Sequence, residues 1–206
     1  MTARISRNFE FQAGVHFNDD FYMNLYDIEV TFNVESDSIR QQNVALDRIK
    51  YFLGECIEFS IMCSDSDTEA IEKYIKANLK VCTLPEEPYD QIIGIMLLVK
   101  FNAITEGRLV ATDIKIASRI SDGVSCLFGL EENIGPFKMK GWWNDSSTKI
   151  NDYKYVKDKK SKVVQLSKPI PDWQDVFLGW TEKNTLEYNG EMSEVVFASF
   201  DTKNTK

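Results

Sequence analysis

Histidine is the scarcest ionisable residue in this 206-residue chain, with a single copy at His16. A site that needs two or three imidazoles is therefore excluded. This removes the usual catalytic zinc centres and the HExxH metalloproteases, because both hold their metal through several histidines.

Paired cysteines and long apolar runs are missing as well. The four cysteines form no CxxC motif, which favours reduced, buried thiols in a cytoplasmic protein over a disulfide framework. The longest apolar run, Ile92–Val99, is far shorter than the roughly 20 residues of a membrane span, so we expect no membrane association. Met1–Arg7 leads straight into a strand pattern, so we also expect no secretory leader.

Positive charge is scarce except in one segment. The chain has 24 Lys+Arg against 32 Asp+Glu, a net charge of −8. Residues 1–137 carry 12 basic and 22 acidic side chains, whereas residues 138–162 carry eight lysines and three acids. An acidic body repels nucleic acid at long range, so we expect no nucleic-acid partner unless the basic segment acts locally.

The first half of the chain changes from strand to helix periodicity. Apolar residues alternate with polar ones over residues 5–17 and again over 26–34, and Asn18-Asp19-Asp20 separates the two runs. This pattern predicts a β-hairpin. The spacing from Asn43 to Ile57 predicts an amphipathic helix. Ser66 and Glu69 have the spacing of a capping box, which predicts the start of a second helix.

Strand patterns return after Tyr89. We expect one strand over Ile92–Ile104, a turn at residues 105–107 and a second strand over Leu109–Ser118. The predicted fold is therefore α+β with the order ββααββ over residues 1–120. Residues 121–206 are predicted to form a β-rich C-terminal extension.

Several strings resemble the tunnelling fold, especially the 6-pyruvoyl and 6-carboxy tetrahydropterin synthases. Phe9-Glu10-Phe11-Gln12-Ala13 is similar to the FxFxA of the family's first strand, and residues 26–31 resemble the strand after its HGHNY motif. Residues 43–50 resemble its MVIDFxxLK helix entry, and residues 67–75 its PTxEN…YI helix. The resemblance covers roughly residues 5–118. It implies a domain that oligomerises into a β-barrel.

The departures from the family concern its chemistry. Where the synthases have three zinc-binding histidines, this chain has Val15, Tyr22 and Asn24, and His16 lies one residue late. A slip of one residue moves a side chain to the other face of a strand. Residues 17–23 lack the catalytic cysteine, and Ala117-Ser118-Arg119 replaces the pterin-anchoring Glu-Thr pair. We therefore expect no bound metal, no other cofactor and no catalytic residue.

Four residues are candidates for contact with a small ligand by their place in the resemblance: His16, Gln12, Asn24 and Glu69. Two of them have simpler interpretations. His16 also fits an ordinary polar-face residue, and Glu69 a capping-box partner of Ser66.

The basic segment is also rich in aromatic residues, and it is the candidate partner surface. Its candidate contact residues are Trp142, Trp143, Tyr153, Lys154, Tyr155, Lys157, Lys159 and Lys160. They are suited to docking a protein or, less favourably, a nucleic acid. Alternatively, the aromatic residues pack the extension onto the body.

The leading functional hypothesis is a non-catalytic, oligomeric protein that holds a planar heterocycle or nucleotide-like ligand at subunit interfaces. One alternative is an interaction or inhibitor module that uses the acidic body or the aromatic and lysine residues. The other is a tunnelling-fold enzyme that works without zinc.

Overall fold

A long antiparallel hairpin organises the molecule. The computed structural model describes residues 3–129, 134–152 and 171–181. Strands β1 (Ala3–Phe17) and β2 (Asp20–Val34) pair in unbroken register from end to end. Asn18 and Asp19 join them with φ of 50° and 64°, the left-handed conformation that a two-residue hairpin turn needs. The predicted hairpin is confirmed.

The first helix, α1 (Ile39–Tyr51), also agrees with the prediction. Ser38 caps it by accepting a hydrogen bond from the Gln41 backbone N–H. The chain continues as a π-helical segment over Phe52–Ile57. The predicted apolar face, including Ile49, is buried in the core.

Two short strands that the sequence pattern did not reveal surround the next helix. Strand β3 (Ile61–Ser64) runs parallel to β1, helix α2 (Thr68–Lys76) follows, and β4 (Val81–Leu84) runs parallel to β3. Both strands have four residues, all buried, so they show no alternation to detect. The predicted capping box is wrong, because the cap of α2 is Asp67, whose side chain accepts from the Ala70 N–H.

The predicted strand over Ile92–Ile104 is wrong, since these residues belong to helix α3 (Asp90–Thr105). This helix lies between the sheet, α1 and residues of the extension, and even Lys100 is fully buried. A helix that is apolar on all sides lacks the polar face that reveals a 3.6-residue period. The described residues therefore contain three α-helices, and the order ββααββ does not hold.

The remaining strands complete one mixed sheet. Strand β5 (Leu109–Ser118) pairs with β2 and with β6 (Ser125–Gly129), and the strand order is β4-β3-β1-β2-β5-β6. Helices α1 and α3 pack on one face, while α2 packs on the other face beside β3 and β4. The α+β class is confirmed. The predicted second hairpin instead consists of β5 and β6.

The described part of the C-terminal extension shares the core of the first 120 residues. Trp142 and Trp173 pack with the side chains of α1 and α3. The Trp142 indole N–H donates to the Thr83 carbonyl at 2.8 Å, and the Thr83 N–H donates to the Ile150 carbonyl at 3.1 Å. These contacts cover the outer edge of β4. After β6, the described residues form 3₁₀ turns and irregular structure.

Candidate functional site

A cavity of about 430 Å³ lies at the end of the hairpin. Three parts of the chain meet there: the last residues of β1 with the first of β2, the start of α3, and the turn between β5 and β6. The residues that line it are Val15, Phe17, Tyr22, Asn24, Tyr26, Pro88, Tyr89, Asp90, Gln91, Ser118, Ile120, Ser121, Val124 and Cys126.

The pairing register of the hairpin places side chains of β1 and β2 together in the wall of the cavity. Val15 pairs directly with Tyr22, and directly paired residues of antiparallel strands point to the same face. Asn24 and Tyr26 lie two and four residues beyond Tyr22 on that face. The Tyr26 ring stacks on Phe11 with 4.9 Å between ring centres, which holds it at the inner wall of the cavity.

Val15, Tyr22 and Asn24 are the positions that correspond, by resemblance, to zinc-binding histidines, and all three line this one cavity. Their side chains do not fit a zinc site, because valine has no donor atom and neutral phenol and amide groups are poor zinc ligands. Within the described ranges, no three His, Cys, Asp or Glu side chains are grouped to hold a metal ion.

Two polar groups occupy the hairpin side of the cavity. Asn24 Oδ1 accepts from the Leu25 N–H at 3.0 Å and from the Ile120 N–H at 3.3 Å, which anchors the β5–β6 turn. The Tyr26 hydroxyl is buried beside the Asn24 side chain but forms no hydrogen bond of good geometry with the described residues. Burial raises the pKa of Tyr26, the nearby Asn24 side chain partly opposes this, and the Asp90 charge adds to it. The phenol therefore stays protonated.

Asp90 is the charged group in the wall of the cavity. Its Oδ2 accepts from the hydroxyl of Ser118 at 2.8 Å and also from that of Ser121. Asp90 lies in the first turn of α3, where the helix dipole stabilises a carboxylate. Sequence reasoning missed this residue because residues 92–104 were interpreted as a strand. An acid directly after Pro88-Tyr89 was the available signal for a helix start.

His16 lies on the opposite face of the sheet. It pairs with Phe21, and the unbroken register leaves no bulge that would turn it toward the cavity. The imidazole is buried against α2, with Nδ1 at 2.9 Å from the Tyr74 hydroxyl and Nε2 at 3.1 Å from Asp67 Oδ2. These two contacts fix the orientation of the ring between Tyr74 and Asp67.

The four candidate ligand-contact residues therefore lie on different sides of the sheet. Only Asn24 lines the cavity. Gln12 is on the His16 face and exposed, and its backbone N–H donates to Glu58 Oε2 at 3.0 Å. Glu69 is exposed in the first turn of α2. The structure therefore does not bring the four residues together, because His16, Gln12 and Glu69 lie outside the wall that Asn24 helps to form.

The candidate partner surface is only partly described. Trp142 and Trp143 are 1% and 6% exposed, so in this structure they pack the extension onto the body and are not available to a partner. Tyr153, Lys154, Tyr155, Lys157, Lys159 and Lys160 lie outside the described residues. Among the helices in the described ranges, none is long and apolar enough to cross a bilayer.

No protein-family model matches the sequence, and no curated protein matches it. Several solved structures are similar. An uncharacterized protein from Wolinella succinogenes has a TM-score of 0.47 and 9% identity, over 64% of this chain and 99% of that chain. A catalytic-residue mutant of Plasmodium vivax 6-pyruvoyltetrahydropterin synthase has a TM-score of 0.40 and 6% identity, over 62% and 97%. The Plasmodium falciparum 6-pyruvoyl tetrahydropterin synthase has a TM-score of 0.38 and 10% identity, over 62% and 96%.

Proposed function

We propose that this chain is a non-catalytic, oligomeric binding protein that holds a planar heterocyclic ligand in the cavity at the end of the hairpin. One observation carries the proposal. Val15, Tyr22 and Asn24 line a single cavity of about 430 Å³ with aromatic walls, and among the described residues no three His, Cys, Asp or Glu side chains are grouped there to hold a metal ion. Its volume lies within the range of small-molecule sites.

The residues of the cavity support binding rather than chemistry. Burial raises the pKa of the Cys126 thiol, and the nearby Asp90 carboxylate raises it further. A protonated thiol is a poor nucleophile. The Tyr26 phenol also stays protonated, and two serine hydroxyls occupy one oxygen of Asp90. The lining residues thus supply neither an activated nucleophile nor an imidazole base.

Oligomerisation is supported by two strand edges. Strand β3 pairs with β1 only at Gly14 and Val15, so residues 3–11 of β1 have no strand on their outer side within the described chain. Strand β6 ends the sheet at the other side. Such edges can accept a strand from a second copy. Tyr22 and Tyr89, at the mouth of the cavity, are 44% and 51% exposed, and a neighbouring subunit would cover them.

Native mass spectrometry of protein purified from cells tests the proposal. We expect an oligomer that carries a bound organic molecule. The Cys126→Trp variant should lose that molecule, because the indole fills the cavity. Leu127→Trp is the matched control, since Leu127 is the next residue of β6 and is 67% exposed. Stoichiometric zinc together with turnover would contradict the proposal, as would retention of the molecule by Cys126→Trp.

A further inference from the structure

Among the described residues, the cavity has a negatively charged side chain in its wall and no positively charged one. Asp90 belongs to its wall, and no lysine, arginine or histidine is among the residues that line it. A second acid lies at the rim, where Asp20 Oδ2 accepts a hydrogen bond from the Tyr22 hydroxyl at 3.0 Å. Arg119 follows Ser118 in the chain but is exposed and does not line the cavity. An anionic ligand group would therefore lie beside a carboxylate with no partner of opposite sign.

Asp90 has an acceptor position left for a ligand. The hydroxyls of Ser118 and Ser121 both bond to Oδ2, and none of the hydrogen bonds among the described residues engages Oδ1. The two serines also hold the carboxylate between α3 and the β5–β6 turn. A cationic N–H donor that reaches Oδ1 would make a charge-assisted hydrogen bond in a partly desolvated site.

Tyr26 is an independent indication of a ligand. Its residue exposure is 0%, its hydroxyl forms no hydrogen bond of good geometry within the described part of the chain although the Asn24 side chain lies beside it, and it lines the same cavity as Asp90. Buried polar groups in proteins are almost always hydrogen-bonded, and one that is not calls for an explanation. A polar group of a ligand that enters between Tyr26 and Asp90 would supply the missing partner.

The aromatic residues of the wall suit a flat, positively charged molecule. Phe17 and Tyr89 pack edge to face with 5.0 Å between ring centres, and Tyr22 lines the same cavity. Aromatic faces attract both planar rings and cations. We infer that the ligand is a planar aromatic molecule that carries a cationic amidinium or alkylammonium group and no phosphate or carboxylate group. This inference rests on the proposed function of the cavity.

Three isosteric probes test the charge of the ligand against the full-length protein by isothermal titration calorimetry: naphthalene-2-carboxamidine, which is cationic, its neutral carboxamide, and its anionic carboxylate. We expect the amidine to bind at least about tenfold more tightly than the amide. We expect no measurable binding of the carboxylate. Added salt should weaken the binding of the amidine and leave that of the amide unchanged.

Two variants locate the effect. Asp90→Asn keeps an acceptor for both serines but removes the charge, so the amidine should then bind no better than the amide. Asp27→Asn is the control, because Asp27 lies on the other face of β2, and the preference for the amidine should remain. If Asp90→Asn does not fold, the salt dependence of amidine binding by the native chain tests the role of charge instead.

The outcomes separate the two proposals. Equal binding of amidine and amide by the native chain, or tighter binding of the carboxylate, would overturn the inference about charge and leave the ligand cavity in place. If none of the three probes binds, and Cys126→Trp retains the molecule that purifies with the native chain, the cavity itself is not the binding site. Both proposals then fail.

Discussion

The His16 imidazole bridges two parts of the fold, with Nε2 at 3.1 Å from Asp67 Oδ2. His16 belongs to β1, whereas Asp67 caps α2 and also accepts from the Ala70 N–H at 3.0 Å. The ring thereby attaches the β3–α2–β4 unit to the hairpin. His16 therefore connects two structural elements on the face of the sheet opposite the cavity.

The His16→Ala variant should lower the free energy of unfolding by about 1–3 kcal/mol, because the variant leaves Tyr74 and Asp67 without their partner. Binding of the naphthalene amidine should not change. Urea denaturation and calorimetry measure the two quantities. Gln12→Ala, on the same face but exposed, is the control and should be nearly neutral. If His16→Ala lost binding of the amidine but kept its free energy of unfolding, His16 would be a ligand-contact residue.

Gly94 tests the placement of α3 against the sheet. A Cβ at this position would lie 2.9 Å from Ile116 Cγ2 and 3.3 Å from the Phe128 ring. Gly94→Ala should therefore destabilise the protein by about 1–3 kcal/mol, despite the better helix propensity of alanine.

Gly54→Ala is the matched substitution for this test. No atom lies within 4 Å of a Cβ at Gly54, so we expect a neutral or stabilising effect of up to about 1 kcal/mol. Thermal or urea unfolding measures both variants. Equal effects at the two glycines would mean that α3 is not packed closely on β5 and β6.

Lys100 should make stability depend on alkaline pH. Its ammonium donates to the carbonyls of Trp142 and Asp145 at 3.0 and 2.7 Å. Burial nevertheless lowers its pKa from 10.5 to about 8. Below pH 8 the folded protein bears the full cost of a buried charge. Between pH 8 and 10.5 the unfolded chain holds more protons at this residue, so stability rises with pH.

The Lys100→Met variant isolates this effect. The difference in unfolding free energy between the native chain and the variant should shift in favour of the native chain by up to about 3 kcal/mol from pH 7.5 to 10.5. Urea titrations of both proteins at a series of pH values measure it. A difference that does not change with pH would place the pKa of Lys100 near its ordinary value in the folded state.

Arg48 should hold residues 171–181 in place. Its guanidinium lies 4.7 Å from the Trp173 ring centre and 3.7 Å from that of Trp180. It also donates to the Leu178 carbonyl at 2.8 Å. Arg48→Lys keeps the charge but loses the planar stack, so we expect destabilisation by about 1–3 kcal/mol.

Hydrogen exchange of residues 171–181 gives a local measurement of the same effect. Exchange in Arg48→Lys should be faster than in the native chain, while the hairpin remains protected. Lys50→Arg is the control, because Lys50 is exposed on the same helix and should leave exchange unchanged. Equal protection of residues 171–181 in Arg48→Lys and the native chain would show that the stack does not hold this segment.

The sequence predicts an element correctly when one face of that element is polar and the other is apolar. Strands β1 and β2 alternate because one face is in the core and the other bears residues such as Glu10 and Glu29. Helix α3 has no such face, so its apolar sequence fits a strand equally well. Local periodicity therefore does not reveal the start of this helix or the role of Asp90.

The sequence by itself determined what this protein does not contain. One histidine excludes a zinc centre that needs several histidines of one chain, and strict alternation determined the hairpin and put His16 on its polar face. Only the tertiary structure decided what covers each face of the hairpin. Helix α2 packs against His16, whereas the start of α3 and the β5–β6 turn meet the hairpin at Asn24. These contacts join elements that are far apart in sequence, and local periodicity does not encode them.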